Sequence, residues 1–239
     1  MLTYYKTYRA LVRAKVDALR VSQEKTGADE YRDTYADFLQ YLDLAEKYTR
    51  TQKPFCLINY GLSGSGKSVG SRMLLEKIPA IQVRSDIERK RLFGVLNQSE
   101  SHADIGQGIY TPDANQKTYA RLACLARTIL ESGYSVIIDA ANLQMEQRRI
   151  FIDLAVELDV PVIVLEYYAS PETLRKRVRK RAAENMDASD ATLDVLESQL
   201  KKTKPIQNIS PARHILIDTE DGIDIEFVLS EIQGCLQNR

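Results

Sequence analysis

The chain has 239 residues, of which 44% are hydrophobic and 28% charged, and its 33 Lys and Arg residues balance 33 Asp and Glu residues. This composition is sufficient for a packed core and fits one large domain, or one domain with an appendage. A net charge of zero provides no overall field that would draw the chain to nucleic acid or to an anionic membrane. There is no apolar run of about eighteen residues and no signal-peptide pattern at the start, so we expect a cytoplasmic protein without a membrane partner.

Residues 1–50 carry two amphipathic stretches at helical period, and neither shows a strand pattern. The first is strongly basic and lies within "YYKTYRALVRAKVDALRVSQ", and the second spans about 29–48. We therefore predict a helical segment over 1–50, followed by a second domain over 54–239.

Five short apolar runs follow, and each is typical of a buried strand. They lie at 55–60, 80–85, 135–140, 162–168 and 214–219. Helical patterns lie between and after them, at 67–78, 112–131, 144–158, 171–184, 189–202 and 223–236. Apolar strands that alternate with helices predict an α/β fold of three layers around a five-stranded parallel sheet. Ligands of such sheets bind at the carboxyl ends of the strands, so polar residues there are the first site candidates.

The loop "GLSGSGKS" after the first run fits the phosphate-binding pattern G-x-x-x-x-G-K-[ST] of a P-loop. Its glycines allow positive φ and a close approach of phosphate, and its N–H groups form an anion nest at the start of the next helix. We predict that Lys67 bridges the β- and γ-phosphates of ATP and that the Ser68 hydroxyl holds Mg²⁺. The predicted nucleotide-binding residues are Gly61, Leu62, Ser63, Gly64, Ser65, Gly66, Lys67, Ser68 and Val69.

Asp86 follows the second predicted strand, and Arg89 lies one turn further on if a helix starts there. A carboxylate that faces the γ-phosphate could accept the proton of an attacking hydroxyl, and the arginine could neutralise an anionic substrate group. Aspartate is also a preferred helix cap, so a capping role for Asp86 stays open, and the two roles can coexist.

Asp139 ends the third predicted strand, where a carboxylate can reach the Mg²⁺ shell directly or through water. The alternative is a cap or turn residue. Asn142 and Arg148 follow on the loop and the next helix, and we expect Arg148 to be a surface charge rather than a ligand.

A basic run with six Lys and Arg residues covers 175–181. A nucleic-acid patch is one interpretation, but the balanced overall charge and the lack of interleaved aromatic residues weaken it. A helix that closes over ATP is the better interpretation. Arg177 and Arg181 lie four apart on one helical face, where both can reach phosphates in the transition state.

The three cysteines, Cys56, Cys124 and Cys235, are widely spaced and odd in number. We predict reduced thiols in apolar surroundings rather than a disulfide framework or a metal site. The two histidines, His102 and His214, lack metal-ligand spacing, and neither is assigned a role.

Six segments resemble, in order, bacterial P-loop kinases with an AAA-type ATP-binding domain. They are "GLSGSGKS", "RSDIERKRLFG", "GIYTPDANQKTYARL", "VIIDAANLQMEQRR", "SPETLRKRVRKR" and "VLESQLKKTKP". The SD-x-x-R and D-x-x-N-L pieces are also similar to polynucleotide 5′-kinases, and the last two segments are similar to gluconate kinases. The resemblance covers about residue 54 to the end, and it implies a nucleotide kinase-like fold that uses ATP and Mg²⁺.

The same resemblance implies roles for individual residues. Asp86 would be the general base and Arg89 a substrate contact. Asp139 and Asn142 would be acceptor-side or Mg²⁺-side groups, with Asp139 as the metal ligand and Asn142 on the substrate. The catalytic set would be Lys67, Asp86, Arg177 and Arg181, the last two forming a lid over the donor.

The start of the chain resembles a different protein. "YYKTYRALVRAKVDALR" is similar to the last helices of an aminoglycoside-phosphotransferase-like domain, so 1–50 is interpreted as a remnant of such a domain. Either the chain is a fragment or shortened form, or the helices were kept for packing. The catalytic loop of that fold is absent from the sequence, so aminoglycoside phosphorylation is not carried over.

The leading functional hypothesis is a phosphotransferase that moves the γ-phosphate of ATP to an acceptor hydroxyl. The acceptor would be a small molecule or the end of a nucleotide or polynucleotide, so a nucleic-acid partner stays open. The alternative hypothesis is an ATP-binding regulatory or interaction module whose ATPase activity is incidental.

Overall fold

The structure is a computed structural model of the chain. It describes residues 2–23, 28–49, 53–94, 111–184, 192–203, 205–206 and 209–237. Within those ranges, every helix is too short or too polar to span a lipid bilayer. The chain divides into two compact units, Met1–Gln52 and Lys53–Arg239.

The first unit consists of two helices, α1 (Leu2–Gln23) and α2 (Ala28–Thr49). They pack along each other, and small side chains at Ala10, Ala14 and Ala45 are buried. Alanine allows two helix backbones to approach closely and is the best helix former. Both N-terminal helices predicted from the amphipathic pattern are therefore present.

The second unit contains a five-stranded sheet in which every strand runs parallel to its neighbours. The strands are β1 (Cys56–Tyr60), β2 (Ala80–Arg84), β3 (Ser135–Asp139), β4 (Val162–Tyr168) and β5 (Arg213–Asp218). Their order across the sheet is β2-β3-β1-β4-β5. The central strands are apolar on both faces because helices cover both sides, which is why continuous apolar runs predicted them.

Seven helices described in this unit accompany the strands. They are α3 (Lys67–Lys77), α4 (Ser85–Leu92), α5 (Pro112–Glu131), α6 (Met145–Glu157), α7 (Pro171–Glu184), α8 (Leu193–Lys202) and α9 (Ile225–Gln237). The predicted helix at 189–202 differs at its start. It begins at Leu193, because Thr192 caps it by accepting the N–H of Val195 at 3.4 Å, and residues 189–191 lie outside the described residues.

The helices form two layers around the sheet. Ile58 and other side chains on one face pack against α5 and α6, whereas Leu57 and its neighbours on the other face pack against α3 and α9. The helices that follow β1 and β3 therefore cover opposite faces, and their connections diverge at the carboxyl ends of these adjacent strands. This divergence opens the crevice in which parallel α/β sheets bind ligands.

The cysteines differ in their surroundings. Cys56 is fully buried in β1, and burial raises the pKa of its thiol to about 12. Cys124 is exposed and Cys235 is partly exposed, although all three are free thiols. The prediction of apolar surroundings is wrong for Cys124, because Leu122 and Ala126 of the same helix face the sheet and turn Cys124 outward.

Gly70 allows α3 to pack directly on the ring of Tyr167. A Cβ atom at Gly70 would lie 2.4 Å from Cε1 and 2.7 Å from the phenol oxygen of Tyr167, whose side chain is 2% exposed and has no room to move away. We expect Gly70→Ala to lower the free energy of unfolding by about 1–3 kcal/mol, the usual effect of overpacking, even though alanine is the better helix former. Urea denaturation would measure the change.

Gly234 provides a matched control in α9. No described atom lies within 4 Å of a Cβ placed there, so Gly234→Ala should be neutral or stabilise the chain by up to about 1 kcal/mol. Equal effects of the two substitutions would contradict the packing explanation.

Candidate active site

The loop between β1 and α3 has the backbone of an anion cradle. Gly64 and Gly66 have φ values of 82° and 91°, in the left-handed region that favours glycine. Gly66 is also the N-cap of α3 and contributes no side-chain hydrogen bond there. The side chain of an N-cap residue usually accepts one of the first N–H groups of a helix, but glycine has no side chain that could do so. The start of α3 therefore has the geometry of a phosphate-binding helix terminus.

The side chain of Lys67 turns back into this loop. Its Nζ donates to the carbonyl oxygens of Gly61 at 2.8 Å and Leu62 at 2.6 Å. Burial lowers the pKa of Lys67 to about 8; Asp139 opposes this shift, and Arg181 adds to it. Lys67 is therefore held at the loop with Asp139 and Arg181 close enough to affect its charge.

Asp139 is buried at the carboxyl end of β3, with 4% of its side chain exposed. Its Oδ2 accepts from Nε2 of Gln82 at 2.8 Å, and its Oδ1 accepts from Nδ2 of Asn59 at 3.3 Å. Asn59 Nδ2 also donates to Ser71 in α3 at 2.7 Å. Side chains from the two strands beside β3 therefore fix the carboxylate at the sheet edge next to the loop.

Arg84 joins Asp86 to Asp139. Its Nε and Nη2 donate to the two carboxylate oxygens of Asp86 at 3.2 and 2.6 Å, and its Nε lies 4.0 Å from Oδ2 of Asp139. The structure thus brings together two carboxylates that follow different strands. Sequence reasoning missed Arg84, Gln82 and Asn59, because each is a polar residue inside a strand pattern.

The first turn of α4 explains the local position of Asp86. The helix begins at Ser85 with Arg84 as its N-cap, so Asp86 lies one residue inside the helix rather than at the cap. Its Oδ1 still accepts the N–H of Ile87 at 2.8 Å. Arg89, one turn further on, donates from Nη2 to Asn115 Oδ1 in α5 at 3.0 Å. Its predicted contact with substrate stays a prediction.

The loop after β3 is held by two buried polar side chains. Asn142 has a φ of 49°, and its Nδ2 donates to the carbonyl oxygen of Asn59 at 2.6 Å. Arg148 donates from Nη1 to the carbonyl oxygen of Asn142 at 2.7 Å, and its guanidinium carbon lies 5.1 Å from the ring centre of Tyr60. Asn142 thus spans the ends of β1 and β3, while its predicted role toward substrate stays a prediction.

The expectation that Arg148 is a surface charge is wrong. Arg148 is 5% exposed, because the first turns of α6 pack across the end of β1. Burial lowers the pKa of its guanidinium. Among the described residues, its Nε has no hydrogen-bond partner, and the same holds for Oδ1 of Asn142.

The basic helix α7 presents two different faces. Arg177 and Arg181 are half-buried, whereas Lys176 and Lys180 are exposed. Arg177 Nη1 donates to Thr219 Oγ1 at 3.0 Å and reaches the carbonyl oxygen of Gly64 in the loop at 3.5 Å. Arg177 therefore lies beside the phosphate loop, and Arg181 is close enough to help lower the pKa of Lys67, whereas the two lysines are exposed to solvent. The predicted action of the two arginines on phosphates stays a prediction.

Residues 56–206 match the family model described as an AAA domain. The chain belongs to this family. The AAA domain match covers β1 to β4, the phosphate loop and both α7 and α8, so every candidate site residue named above except Thr219 lies inside it.

Curated relatives of this AAA domain protein are uncharacterized proteins of Mycobacterium bovis and Mycobacterium tuberculosis. They are 29% identical over 188 residues, which make up 78% of this chain and 36% of theirs. The chain thus spans about a third of the length of the curated relatives it matches. The origin of residues 1–50 in a phosphotransferase-like domain stays a prediction.

Solved structures share the fold of the AAA domain unit. A protein from Chloroflexus aurantiacus assigned as a kinase gives a TM-score of 0.60 at 20% identity, over 78% of this chain and 97% of its own. Kti12 from Chaetomium thermophilum, solved with ADP-AlF3, gives 0.54 at 17% over 76% and 98%. A sugar kinase from a Janibacter species gives 0.53 at 16% over 77% and 95%. The predicted fold class, a P-loop kinase-like α/β fold with a five-stranded parallel sheet, is confirmed.

Proposed function

We propose that the chain is an ATP-dependent phosphotransferase that moves the γ-phosphate to an acceptor hydroxyl. The observation that supports this most is the pairing of Arg84 with both Asp86 and Asp139. Nucleotide binding alone has a use for one carboxylate near the metal. The second carboxylate is that of Asp86. Its side chain is one-fifth exposed, so an acceptor hydroxyl could reach it and transfer its proton to it.

The phosphate loop, Lys67 and the start of α3 would bind and orient the triphosphate. Ser68 and Asp139 would hold Mg²⁺, and their oxygen atoms fit this cation, which uses one or two protein ligands together with phosphate oxygens and water. Mg²⁺ held by these two residues would neutralise negative charge on the phosphate oxygens. Gln82 and Asn59 keep the Asp139 carboxylate turned toward the loop.

Asp86 would accept the proton of the acceptor hydroxyl while the acceptor oxygen bonds to the γ-phosphorus and the bond to ADP breaks. Both Asp86 oxygens accept from Arg84 in the structure. We therefore propose that acceptor binding loosens this pair and leaves one oxygen for the hydroxyl. Arg89, one turn after Asp86 in the same helix, would contact an anionic group of the acceptor.

A steady-state screen tests the proposal. ADP release from ATP and Mg²⁺ would be measured with sugars, nucleosides and 5′-hydroxyl oligonucleotides, and sugars come first because one structural neighbour is a sugar kinase. Acceptor-dependent ADP release with formation of a phosphoester supports the proposal. Tight ATP binding without any acceptor dependence would contradict it and favour the regulatory module, which the much greater length of the curated relatives leaves as the second candidate.

Arg177 and Arg181 form the proposed lid, and their half-buried face of α7 differs from the exposed face of Lys176 and Lys180. Replacing either arginine with Ala should lower kcat on the order of tenfold to a hundredfold, with a smaller effect on ATP affinity, because the donors act on charge that develops in the transition state. Replacing Lys176 or Lys180 should have little effect, since exposed charges contribute weakly. Steady-state kinetics for the four variants would measure the difference.

One pattern of results would contradict this assignment. If all four substitutions gave the same small loss, and if added salt abolished it, the run at 175–181 would be a diffuse basic face. A polynucleotide acceptor would then be favoured, because phosphate contacts carry that dependence on salt.

A further inference from the structure

The segment "ESQLKK" in α8 contains a side chain that forms a hydrogen bond with the phosphate loop. Oε1 of Gln199 accepts the backbone N–H of Ser63 at 2.9 Å, across 136 residues of sequence. Ser63 lies directly before Gly64, where the backbone turns into the left-handed region. Gln199 therefore contacts the part of the loop that directly precedes the glycines of the anion cradle.

Apolar packing and an ion pair also hold α8 in place. Leu196 is fully buried against Leu174 and Val178 of α7 and against Leu62 of the loop. An ion pair also joins α7 to α8, with Arg175 Nε and Glu197 Oε1 2.6 Å apart. Because packing and this pair already hold the helix, the Gln199 amide is available to act on the loop.

The chemistry of the acceptor atom matters here. A carboxylate would accept the same N–H, but it would place a negative charge beside a loop whose N–H groups and Lys67 favour anions. An amide oxygen satisfies the donor without that charge. A glutamine is thus the side chain of this length that fixes Ser63 and leaves the field of the loop positive.

We propose that Gln199 is a positioning residue of the nucleotide site, which orders the loop at Ser63 and, by being neutral, favours binding of the triphosphate. This inference rests on the proposed function, because it assumes that ATP binds the loop. It gives α8 a role in nucleotide binding that neither the P-loop pattern nor the basic run of α7 predicts.

Two substitutions separate the parts of this proposal. Gln199→Glu keeps the acceptor and adds a charge, and it should raise the Kd for ATP about tenfold at low salt, with a smaller rise for ADP and a weaker effect at high salt. Gln199→Leu removes the acceptor, and it should raise both Kd values a few-fold, equally and without dependence on salt. Calorimetric titration with ATP and with ADP at two salt concentrations would measure these changes.

Gln237→Glu is the matched control, since it adds the same charge to an exposed residue in the last turn of α9, and it should bind both nucleotides like the wild-type chain. If the two Gln199 variants changed the melting temperature but kept wild-type Kd values for ATP and ADP, Gln199 would be a packing residue and the proposal would be overturned. A wild-type chain that bound neither nucleotide would contradict the proposed function itself, and this inference with it.

Discussion

Lys67→Ala is expected to abolish ATP turnover, with a loss in kcat/KM of about a thousandfold, the upper range for removing one preorganised donor from a transition state. The Nζ atom already lies in the loop, where it donates hydrogen bonds to the carbonyl oxygens of Gly61 and Leu62. The Lys67 side chain would therefore need to move little to contact a phosphate oxygen. ADP release under steady-state conditions would measure the loss. The fold should persist, because water can solvate the two carbonyl groups.

Lys77 provides the control on the same helix. It lies in the last turn of α3, half exposed, with its Nζ 3.4 Å from an exposed carboxylate of Glu226, and Lys77→Ala should leave turnover unchanged. Near-normal turnover by Lys67→Ala, in a variant whose circular dichroism is unaltered, would refute the assignment of the phosphate loop.

Asp86→Asn is expected to lower phosphoryl transfer by roughly 10²–10⁴-fold, the usual effect of losing a general base. ATP affinity should change little, because Asp86 follows β2 whereas the phosphate loop follows β1. The asparagine oxygen can still accept the N–H of Ile87, so the first turn of α4 should keep its shape. Single-turnover kinetics together with ATP titration would separate the chemical step from binding.

Asp113→Asn is a suitable control, since Asp113 lies exposed in the first turn of α5 and pairs with Lys117 at 2.8 Å. It should leave the rate unchanged. If Asp86→Asn weakened ATP binding as much as it slowed transfer, Asp86 would belong to the Mg²⁺ site or to the structure of α4. A loss of less than tenfold would leave Arg84 pairing as its main role.

The sheet and most helices could be predicted from sequence because their signals are local. Apolar runs such as 135–140 mark strands covered on both faces, and Pro112 marks the first turn of a helix, which the structure places at Pro112–Glu131. The phosphate loop could also be predicted, since its glycines, lysine and serine all lie within residues 61–68. Its geometry depends on the positive φ angles of Gly64 and Gly66, which glycine adopts readily.

The rest of the site was not predictable, because it depends on pairs of residues far apart in the chain. Gln82 reaches Asp139 across 57 residues, and Gln199 reaches the loop across 136. Each is a single polar side chain whose partner the sequence does not indicate. Arg148 shows the same limit: a charged residue on a helix is usually solvated, and only the packing of α6 over Tyr60 buries it.

The distance in sequence between the loop and its supports also bears on how the protein is made. The carbonyl oxygen of Ser65 accepts from Thr219 across 154 residues, and Ser63 donates to Gln199 across 136. Ribosomes add about 5–20 residues per second, so the loop is synthesised roughly 8–30 s before Thr219. A ligand stabilises only the state that binds it. Both supports therefore reach the loop only after residues 199 and 219 have been synthesised, and nucleotide bound as proposed above would stabilise the state in which they are in place.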